Sequence, residues 1–361
     1  MESGYRTSQY LRGYHLGFIV RIPIRPCFTP GKFVQKTHPS SGFRGLERPR
    51  LFFCCSRLSP GKMPLLGDCF SQQEDDQEFH SAEPCQVTGG VVALGKFDAL
   101  HIGHRELAIQ ASKAGSPYLL SFVGMAEVLG WEQRSPIVAK CDRERVLALW
   151  APCCGNIIPV EYQIEFSNVR HLSPRQFVKR LSNELGVSGV VAGENYRFGY
   201  KASGDASELV RLCEEYGLGA YIVSSVDRRQ ISSKTGSNSD GLRESEQVSS
   251  TRVRHALAIG DMEYVSQLLG RSHRLVFAVD SKFLITGNRV SAPKSCLLNQ
   301  PPRDGQYESY LAVAGNVCVE HCKVTIDTTH VHIEFRGDVN FHVLELFRNC
   351  HVMGIEFGHS R

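Results

Sequence analysis

Short apolar runs alternate with amphipathic stretches over residues 90–223, a pattern typical of alternating β-strands and α-helices. Runs of β-branched and other apolar residues predict strands at 90–94, 118–122, 156–160, 190–192 and 220–223. Apolar residues at helical spacing predict two helices, at 103–114 with Leu107, Ala108 and Ala111 on one face, and at 142–150 with Val146, Leu147 and Trp150.

Two further helices are marked by residues typical of helix ends. From start to end these are Ser173, Pro174 and Gly186 for the first helix, and Asp205, Glu208 and Gly217 for the second. Strands and helices that alternate in this way predict a parallel sheet with helices on both faces, an α/β fold. Ligands of such folds bind beyond the carboxyl ends of the strands.

The pattern changes after residue 223. Residues 228–248 are rich in Ser, Gly, Asn and charged side chains without periodicity, which predicts a mobile loop. Two helices are predicted next, at 251–259 and 262–269. Beyond Arg274, apolar runs separated by turn residues predict a smaller all-β domain, with strands at 275–279, 310–313, 318–326 and 330–335.

Positive charge is concentrated at the N-terminus. The 361 residues carry a net charge of only +4, yet residues 1–66 hold eight Arg and three Lys against Glu2 and Glu47. A basic, acid-poor segment predicts an organelle transit peptide, although an ordinary disordered basic tail has a similar composition. Residues 67–87 become acidic and Gln-rich, and we interpret them as a linker before the first folded domain.

The ordinary apolar and charged fractions of the chain predict a globular protein of about two domains. No apolar run approaches the roughly eighteen residues that a membrane span requires. We therefore expect small-molecule ligands, with neither a membrane nor a nucleic acid as partner. The sequence does not define the oligomeric state.

Thirteen cysteines raise the question of a disulfide scaffold or a metal site. They form no CxxC pair, and most lie singly in apolar segments, which predicts reduced, buried thiols. The best candidate for zinc groups Cys318, His321 and Cys322, with His330, His332 and Cys350 nearby. Because polar and apolar residues alternate there, strand faces are favoured over zinc, and no metal-ligating residue is predicted.

The stretch GKFDALHIGH, residues 95–104, places two histidines three residues apart at a predicted helix start. In a helix His101 and His104 would share one face. The free N–H groups of a helix start attract phosphate, and imidazole donors suit a phosphoryl group that gains charge during displacement. Gly103 would let a ligand approach the backbone. The alternative is a pair of surface histidines at an unremarkable helix start.

A second stretch, SSTRVRHALAIGD at residues 249–261, places Arg252 and Arg254 directly after the predicted mobile loop. Guanidinium groups bind phosphate oxygens bidentately, and a mobile loop could bring them over a bound triphosphate. Two arginines on a solvated helix face are the alternative.

A third stretch, GENYRFGYKASGD at residues 193–205, follows a predicted strand and holds Tyr196 and Phe198 between glycines. The two rings could form a lip on which a planar ligand stacks. They could equally anchor a Gly-rich loop to the core.

Together the three stretches resemble the prokaryotic-type FAD synthetases, which are FMN adenylyltransferases, and in particular their plant plastid form. That family shows GxFDGxHxGH after a strand, then GxDFRFGxxxxGD, then SSTRxR on a helix that ends in GD. The resemblance covers residues 88–272. It implies a Rossmann-like HxGH nucleotidyltransferase domain with a parallel sheet, a smaller β-barrel-like domain at 273–361, and a chloroplast location.

The resemblance also implies a reaction, in which the AMP moiety of ATP, bound with Mg²⁺, is transferred to FMN to give FAD and pyrophosphate. It implies catalytic roles for His101, His104 and Arg252. The residues implied in ATP binding are Gly95, Lys96, Phe97, Asp98, Gly103, Ser250, Thr251 and Arg254. Those implied in flavin binding are Gly193, Asn195, Tyr196, Phe198 and Asp205.

The chain departs from the family pattern in several places. Lys96 replaces a common Asn and adds positive charge near the phosphates, and Ala99 replaces a Gly and removes backbone freedom. Asn195 and Tyr196 replace the common Asp-Phe. Residues 285–313 lack the GFPTAN-like segment that binds ATP phosphates and magnesium in bacterial riboflavin kinases, so we expect the β-rich domain to be an inactive, kinase-like barrel.

Two rival functions stay open at this point. The chain could be another HxGH nucleotidyltransferase that acts on a different phosphate, or a non-catalytic regulator that binds a flavin or a nucleotide. The presence of both histidines and both arginines argues against the regulator.

Overall fold

The first half of the fold is built on a parallel sheet. The computed structural model describes residues 87–226, 247–279, 283–312, 318–336 and 351–357. The strands of this sheet are β1 (Val91–Leu94), β2 (Pro117–Val123), β3 (Val160–Glu165), β4 (Gly189–Gly193) and β5 (Gly219–Val223). They lie in the order β3-β2-β1-β4-β5. Successive strands are added on one side of β1 up to β3 and on its other side from β4 onwards, and this switch leaves a crevice at the carboxyl ends of β1 and β4.

Helices cover both faces of this sheet, as the sequence pattern predicts. They are α1 (Ile102–Ala114), α2 (Met125–Leu129), α3 (Arg143–Ala148), α4 (Phe166–Val169), α5 (Pro174–Asn183), α6 (Ala206–Glu215), α7 (Ser250–Ile259) and α8 (Met262–Leu269). Alternate residues of β1 enter two separate cores, because successive strand side chains point to opposite faces. Val91 and Ala93 pack with α1, α7 and α8, whereas Val92 and Leu94 pack with α5 and α6.

The predicted N-terminal caps are confirmed, whereas the two helices end earlier than predicted, with Glu184 and Tyr216 as C-caps in place of Gly186 and Gly217. The Ser173 hydroxyl accepts a hydrogen bond from the backbone N–H of Gln176, whose side chain completes a capping box. The Asp205 carboxylate accepts from the backbone N–H of Glu208 at the start of α6. These caps satisfy backbone donors that have no partner within a helix.

The third strand lies later in the chain than predicted. Its apolar signal at residues 156–160 is misleading, because Ile157 and Ile158 are 46% and 53% exposed and follow a left-handed turn at Gly155 and Asn156. The actual strand, β3, carries a buried glutamate, Glu161, in an interior position. A buried charge breaks the apolar pattern from which strands are recognised.

The second half of the fold is an antiparallel sheet curled into a half-barrel. Its strands are β6 (Arg274–Ala278), β7 (Leu284–Thr286), β8 (Arg289–Pro293), β9 (Gly305–Ala312), β10 (Cys318–Ile326), β11 (His330–Phe335) and β12 (Val352–Phe357). They lie in the order β6-β12-β9-β10-β11-β8-β7. The sequence pattern predicts β6, β10 and β11, but it misses the β7–β8 hairpin, the first half of β9, and β12.

Several predictions from sequence fall on residues that the structure does not describe. These are the transit peptide at 1–66, residues 67–86 of the linker, and the mobile loop except for its last two residues. Val87, assigned to the linker, is instead buried in a core of the α/β half. Within the described ranges, no helix is long and apolar enough to cross a bilayer.

Six of the cysteines in the described ranges are free thiols. Four of them are buried, namely Cys154, Cys213, Cys296 and Cys322, and two are exposed, Cys141 and Cys153. In the region considered for zinc, Cys322 belongs to the core of the β-sheet, and the His321 Nε2 lies 3.3 Å from a carboxylate oxygen of Glu308.

Candidate active site

A strained loop joins β1 to α1. Phe97 and Leu100 adopt left-handed conformations, with φ of 45° and 47°, that non-glycine residues rarely take. Both side chains are fully buried, and the Phe97 ring lies so close to Gly95 that a Cβ there would be 3.1 Å from the ring. The strain falls at these two residues, and Ala99, where the family has glycine, is outside the left-handed region.

His101 and His104 stack at the start of α1. Their ring centroids are 3.7 Å apart and their planes differ by 14°. His101 is the N-cap and lies just outside the helix, where its Nδ1 accepts a hydrogen bond from the backbone N–H of His104 at 3.3 Å. In a neutral ring the remaining proton is then on Nε2, which can donate to a ligand. A Cβ at Gly103 would lie 3.1 Å from the His101 ring, so glycine leaves room for that ring.

Burial keeps both imidazoles neutral. Desolvation, reinforced by the positive charge of Arg271, lowers the pKa of His101 to about 4. Desolvation also lowers the pKa of His104 well below its usual value, with His101 as the next cause. The Nδ1 of His104 is buried and has no hydrogen-bond partner among the described residues. The pair thus offers neutral donors that are largely removed from water.

A buried ion pair is hydrogen-bonded to the strained loop. Arg143 donates to both carboxylate oxygens of Glu161 at 2.6 Å and to the carbonyl of Phe97 at 2.7 Å. The Ser121 hydroxyl donates to the same carboxylate at 2.7 Å. Sequence reasoning missed this network, because an arginine inside a predicted helix and a glutamate after a predicted strand carry no motif.

A second arginine holds the other end of the loop. Arg271 donates to the carbonyl of Leu100 at 2.6 Å and to the carbonyl of Ala99 at 3.0 Å. Burial lowers the pKa of its guanidinium to about 9, which leaves it charged at neutral pH. Sequence reasoning missed Arg271, because an arginine directly after the C-cap glycine of α8 carries no specific motif.

The two arginines of α7 occupy different surroundings. Arg254 donates to the carboxylate of Asp98 at 2.9 Å, to the carbonyl of Ser135 at 2.9 Å and to the side-chain oxygen of Gln300 at 2.5 Å. The side chain of Arg252 is partly exposed and makes no ion pair within the described part of the chain. Sequence reasoning missed Gln300, which belongs to the second half of the fold.

An open cleft of about 890 Å³ lies beside this network. Five residues predicted to bind ATP line it, namely Lys96, Asp98, Ser250, Thr251 and Arg254. Trp131, 52% exposed, stands on its wall with the ammonium group of Lys96 5.3 Å from its ring centroid. The described walls do not include His101, His104, Arg252 or the loop at 193–205.

The loop that follows β4 is anchored to the core. Phe198 is 5% exposed and packs against Phe177, and the ring of Tyr196 stacks on it at 6.0 Å. Burial raises the pKa of Tyr196. Phe198 therefore anchors the loop to the core, as the alternative to a ligand-stacking lip predicts. The side chain of Asn195 is exposed, Gly193 ends β4, and Asp205 caps α6.

Sheet topology brings the stretches at residues 95–104 and 193–205 to the crevice between β1 and β4. The histidine loop leaves β1, the loop at 193–205 leaves the neighbouring strand β4, and α7 supplies Arg254 to the histidine loop through Asp98. Neutral imidazole donors at a helix start, beside a cleft lined by Lys96 and Arg254, are suited to phosphoryl chemistry on a nucleotide.

Comparison with known proteins gives consistent matches. A family model described as FAD synthetase matches residues 84–235, and one described as FAD synthetase 1/2, C-terminal domain, matches residues 272–360. The chain is 57% identical over 299 residues to FAD synthetase 2, chloroplastic, of Arabidopsis thaliana, covering 82% of this chain and 81% of that protein. It is 56% identical over 302 residues to FAD synthetase 1, chloroplastic, of the same plant, covering 83% and 85%.

One solved structure has a similar fold. It is described as a macrolide-efflux protein from Streptococcus pneumoniae and superimposes with a TM-score of 0.57 over 76% of this chain and 86% of its own. At 18% identity, this likeness concerns the fold alone.

Proposed function

The chain belongs to the FAD synthetase family and is an FMN adenylyltransferase, and from this premise we propose how its residues transfer AMP from ATP to FMN. An oxygen of the FMN phosphate attacks the α-phosphorus of ATP. The bond from that phosphorus to the bridging oxygen of the β-phosphate breaks, and pyrophosphate leaves. The stacked histidine pair beyond β1 is the observation that carries this assignment.

His101 and His104 stabilise the charge that grows on the α-phosphate oxygens. His101 is already oriented by its N-cap hydrogen bond, which leaves its Nε2–H group for the phosphate. Because both rings are neutral and largely removed from water, their hydrogen bonds to a developing anion are stronger than in solvent. No protein nucleophile is needed, since the FMN phosphate is already an anion at neutral pH.

The triphosphate lies along the cleft wall formed by Lys96, Asp98, Ser250, Thr251 and Arg254. Gly95, Phe97 and Gly103 contribute through the backbone of the strained loop and of the helix start. Arg252, which has no ion-pair partner in the described part of the chain, moves onto the leaving pyrophosphate. Arg254 takes part from its fixed position beside Asp98.

Magnesium enters with ATP. In the part of the chain that the structure describes, no group of three or more His, Cys, Asp or Glu side chains lies close enough to hold a metal ion. A Mg²⁺ ion would thus take most of its ligands from phosphate oxygens and water, as this ion does in many nucleotide sites.

The flavin side is formed by the loop after β4. Gly193 and Asn195 lie at the exposed end of β4, next to β1, and Tyr196 presents a partly buried ring on the anchored Phe198. Asp205 acts indirectly by capping α6, which fixes the far end of the loop.

The β-rich domain does not phosphorylate riboflavin. Within residues 285–294, Thr286, Gly287 and Asn288 are the candidates for a shortened phosphate cradle. They lie in the tight turn of the β7–β8 hairpin, where Thr286 pairs with Arg289 and Gly287 has φ 58°. Asn288 is occupied there, since its side-chain amide donates to the carbonyl of Phe335. A closed hairpin turn offers no backbone N–H cradle for ATP phosphates.

The chain is a chloroplast protein, as the names of both plant relatives indicate. We propose residues 1–66 as the transit peptide and 88–272 as the adenylyltransferase domain. Residues 67–87 are assigned to the linker and residues 273–361 to the degenerate kinase-like domain.

The adenylyltransferase and inactive-kinase proposals are tested separately by the substrates that the protein accepts. The purified protein is incubated with MgATP and either FMN or riboflavin, and the flavins are separated by chromatography. We expect FAD from FMN, and neither FMN nor FAD from riboflavin. Formation of FMN or FAD from riboflavin, at a rate comparable to FAD synthesis from FMN, would overturn the inactive-kinase proposal while leaving the adenylyltransferase assignment in place.

A further inference from the structure

Gln300 connects the β-rich domain to the ATP side of the cleft. It lies between β8 and β9, yet its side-chain oxygen accepts a hydrogen bond from Arg254 of α7 at 2.5 Å. Its backbone N–H donates to the carbonyl of Pro136, a residue of the cleft wall, at 2.8 Å. The C-terminal half of the fold therefore contributes a side chain that contacts Arg254, a residue of the cleft wall.

Buried contacts fix the backbone of Gln300 in place. Its backbone carbonyl lies 3.0 Å from Nε2 of His273, which must be the donor because a carbonyl only accepts. His273 is 2% exposed, and desolvation lowers its pKa to about 4, so the ring is neutral at neutral pH. The preceding residue, Asn299, is also buried and makes three hydrogen bonds, to Ile137, Arg274 and Val276.

The chain segment that contains Gln300 also contacts α7. The backbone N–H of Arg303 donates to the carbonyl of Leu257, one turn after Arg254. We call residues 299–303 the tether. Both the helix that carries Arg254 and the guanidinium itself are thus positioned by the tether.

The chemistry of Gln300 suits a polyanionic ligand. Arg254 is surrounded by one carboxylate, Asp98, and two neutral acceptors, the carbonyl of Ser135 and the amide of Gln300. An amide orients the guanidinium without cancelling more of its charge. A carboxylate in the same place would add a negative charge where the triphosphate is proposed to lie, and would repel it.

We propose that Gln300 is a positioning residue for ATP, through which the β-rich domain supports the adenylyltransferase site. The tether presents a neutral acceptor that aims Arg254 into the cleft and keeps its charge available for the triphosphate. This inference rests on the proposed role of Arg254 in ATP binding.

Three substitutions of Gln300 distinguish positioning from packing. Gln300→Glu keeps shape and acceptor but adds charge, Gln300→Met keeps approximate shape without the acceptor, and Gln300→Ala removes both. We expect the KM for MgATP to rise by about tenfold or more in Gln300→Glu. We expect a rise of about threefold in both Gln300→Met and Gln300→Ala. The KM for FMN should be unchanged in all three.

Gln306→Glu is the matched control, because it makes the same change at an exposed glutamine of β9. It should behave as the wild type. Circular dichroism and melting curves establish that each variant is folded, and the comparison of Met with Ala remains decisive even if the Glu variant does not fold. Near-normal KM in Gln300→Met, or a milder defect in Gln300→Glu than in Gln300→Ala, would show a packing role and overturn the inference.

Arg254→Gln is measured in parallel. A normal KM for MgATP in that variant would remove Arg254 from the ATP site and overturn both this inference and the assignment on which it rests. A raised KM in Arg254→Gln, together with a Gln300→Glu variant no worse than Gln300→Ala, would overturn the inference alone.

Discussion

The imidazole rings of His101 and His104 lie face to face, 3.7 Å apart, although only one of them belongs to the helix. His101 caps α1 with one ring nitrogen and leaves the other free, whereas His104 projects from the first turn. His101 thus combines helix capping with a proposed role in phosphate binding, and mutation can separate the two roles.

We expect His104→Ala to fold normally and to lose about a hundred- to a thousandfold in the rate of FAD formation, because one oriented donor to the transition state is removed. Steady-state kinetics with FMN and MgATP measure the loss. His255→Ala, which removes an exposed histidine of α7, is the control and should retain full activity. A His104→Ala variant within tenfold of the wild type would exclude a catalytic role for His104.

Substitution of His101 by Asn should separate capping from catalysis. Asparagine is among the best N-cap residues, so His101→Asn should keep the stability of the protein while losing activity about as severely as His104→Ala. His101→Ala should lose activity and also about 1 kcal/mol of stability with the cap. Urea denaturation and kinetics on both variants provide the test. Full activity in His101→Asn would show that capping is the only role of His101.

The ion pair between Arg143 and Glu161 should be essential for stability. Its side chains are only 7% and 1% exposed, so Glu161→Gln leaves a buried guanidinium without its counter-charge and should lower the free energy of unfolding by about 3 kcal/mol. The exposed pair of Arg211 and Glu208 is the control, and Glu208→Gln should have no measurable effect. Equal stability of the two variants would contradict this account.

Stability should fall in mild acid. The pKa of His101 and that of His273 are lowered to about 4 by burial, so between pH 6.5 and 4 the unfolded chain binds protons that the folded protein does not. Each histidine then makes folding less favourable by up to about 1.4 kcal/mol per unit of falling pH. This contribution to stability is fully present above the unfolded pKa and is lost as the pH falls towards 4.

His273→Gln should flatten that pH dependence, because the substituted amide can still donate but does not titrate. Thermal melting between pH 7.5 and 5 compares the slopes of the two proteins. Identical slopes would show that His273 is not a source of the acid sensitivity.

Much of the α/β half could be predicted from sequence, because its strands and helices follow apolar periodicity and its caps use residues with local signatures. The strand at β3 could not, since Glu161 is buried by pairing with an arginine distant in sequence. In the β-rich half, β7 has only three residues, and β8 is interrupted by Arg289, Ser291 and Pro293, so both carry little signal; β12 was also missed.

The candidate site was predictable only in part. Motifs identify His101, His104 and Arg254, because phosphate chemistry restricts the residue types at a helix start. The residues that position them, Arg143 and Gln300, depend on tertiary contacts between segments remote in sequence. Local patterns do not report such contacts.

Transfer of isotopic label tests the central claim most directly, namely that this site moves AMP from ATP to FMN. ATP labelled at the α-phosphate, and ATP labelled at the γ-phosphate, are each incubated with FMN and the wild type or His104→Ala. The account predicts that the α label appears in FAD, that the γ label appears in pyrophosphate, and that both products nearly disappear in His104→Ala. Gamma label in the flavin product, or undiminished α-label transfer by His104→Ala, would contradict it.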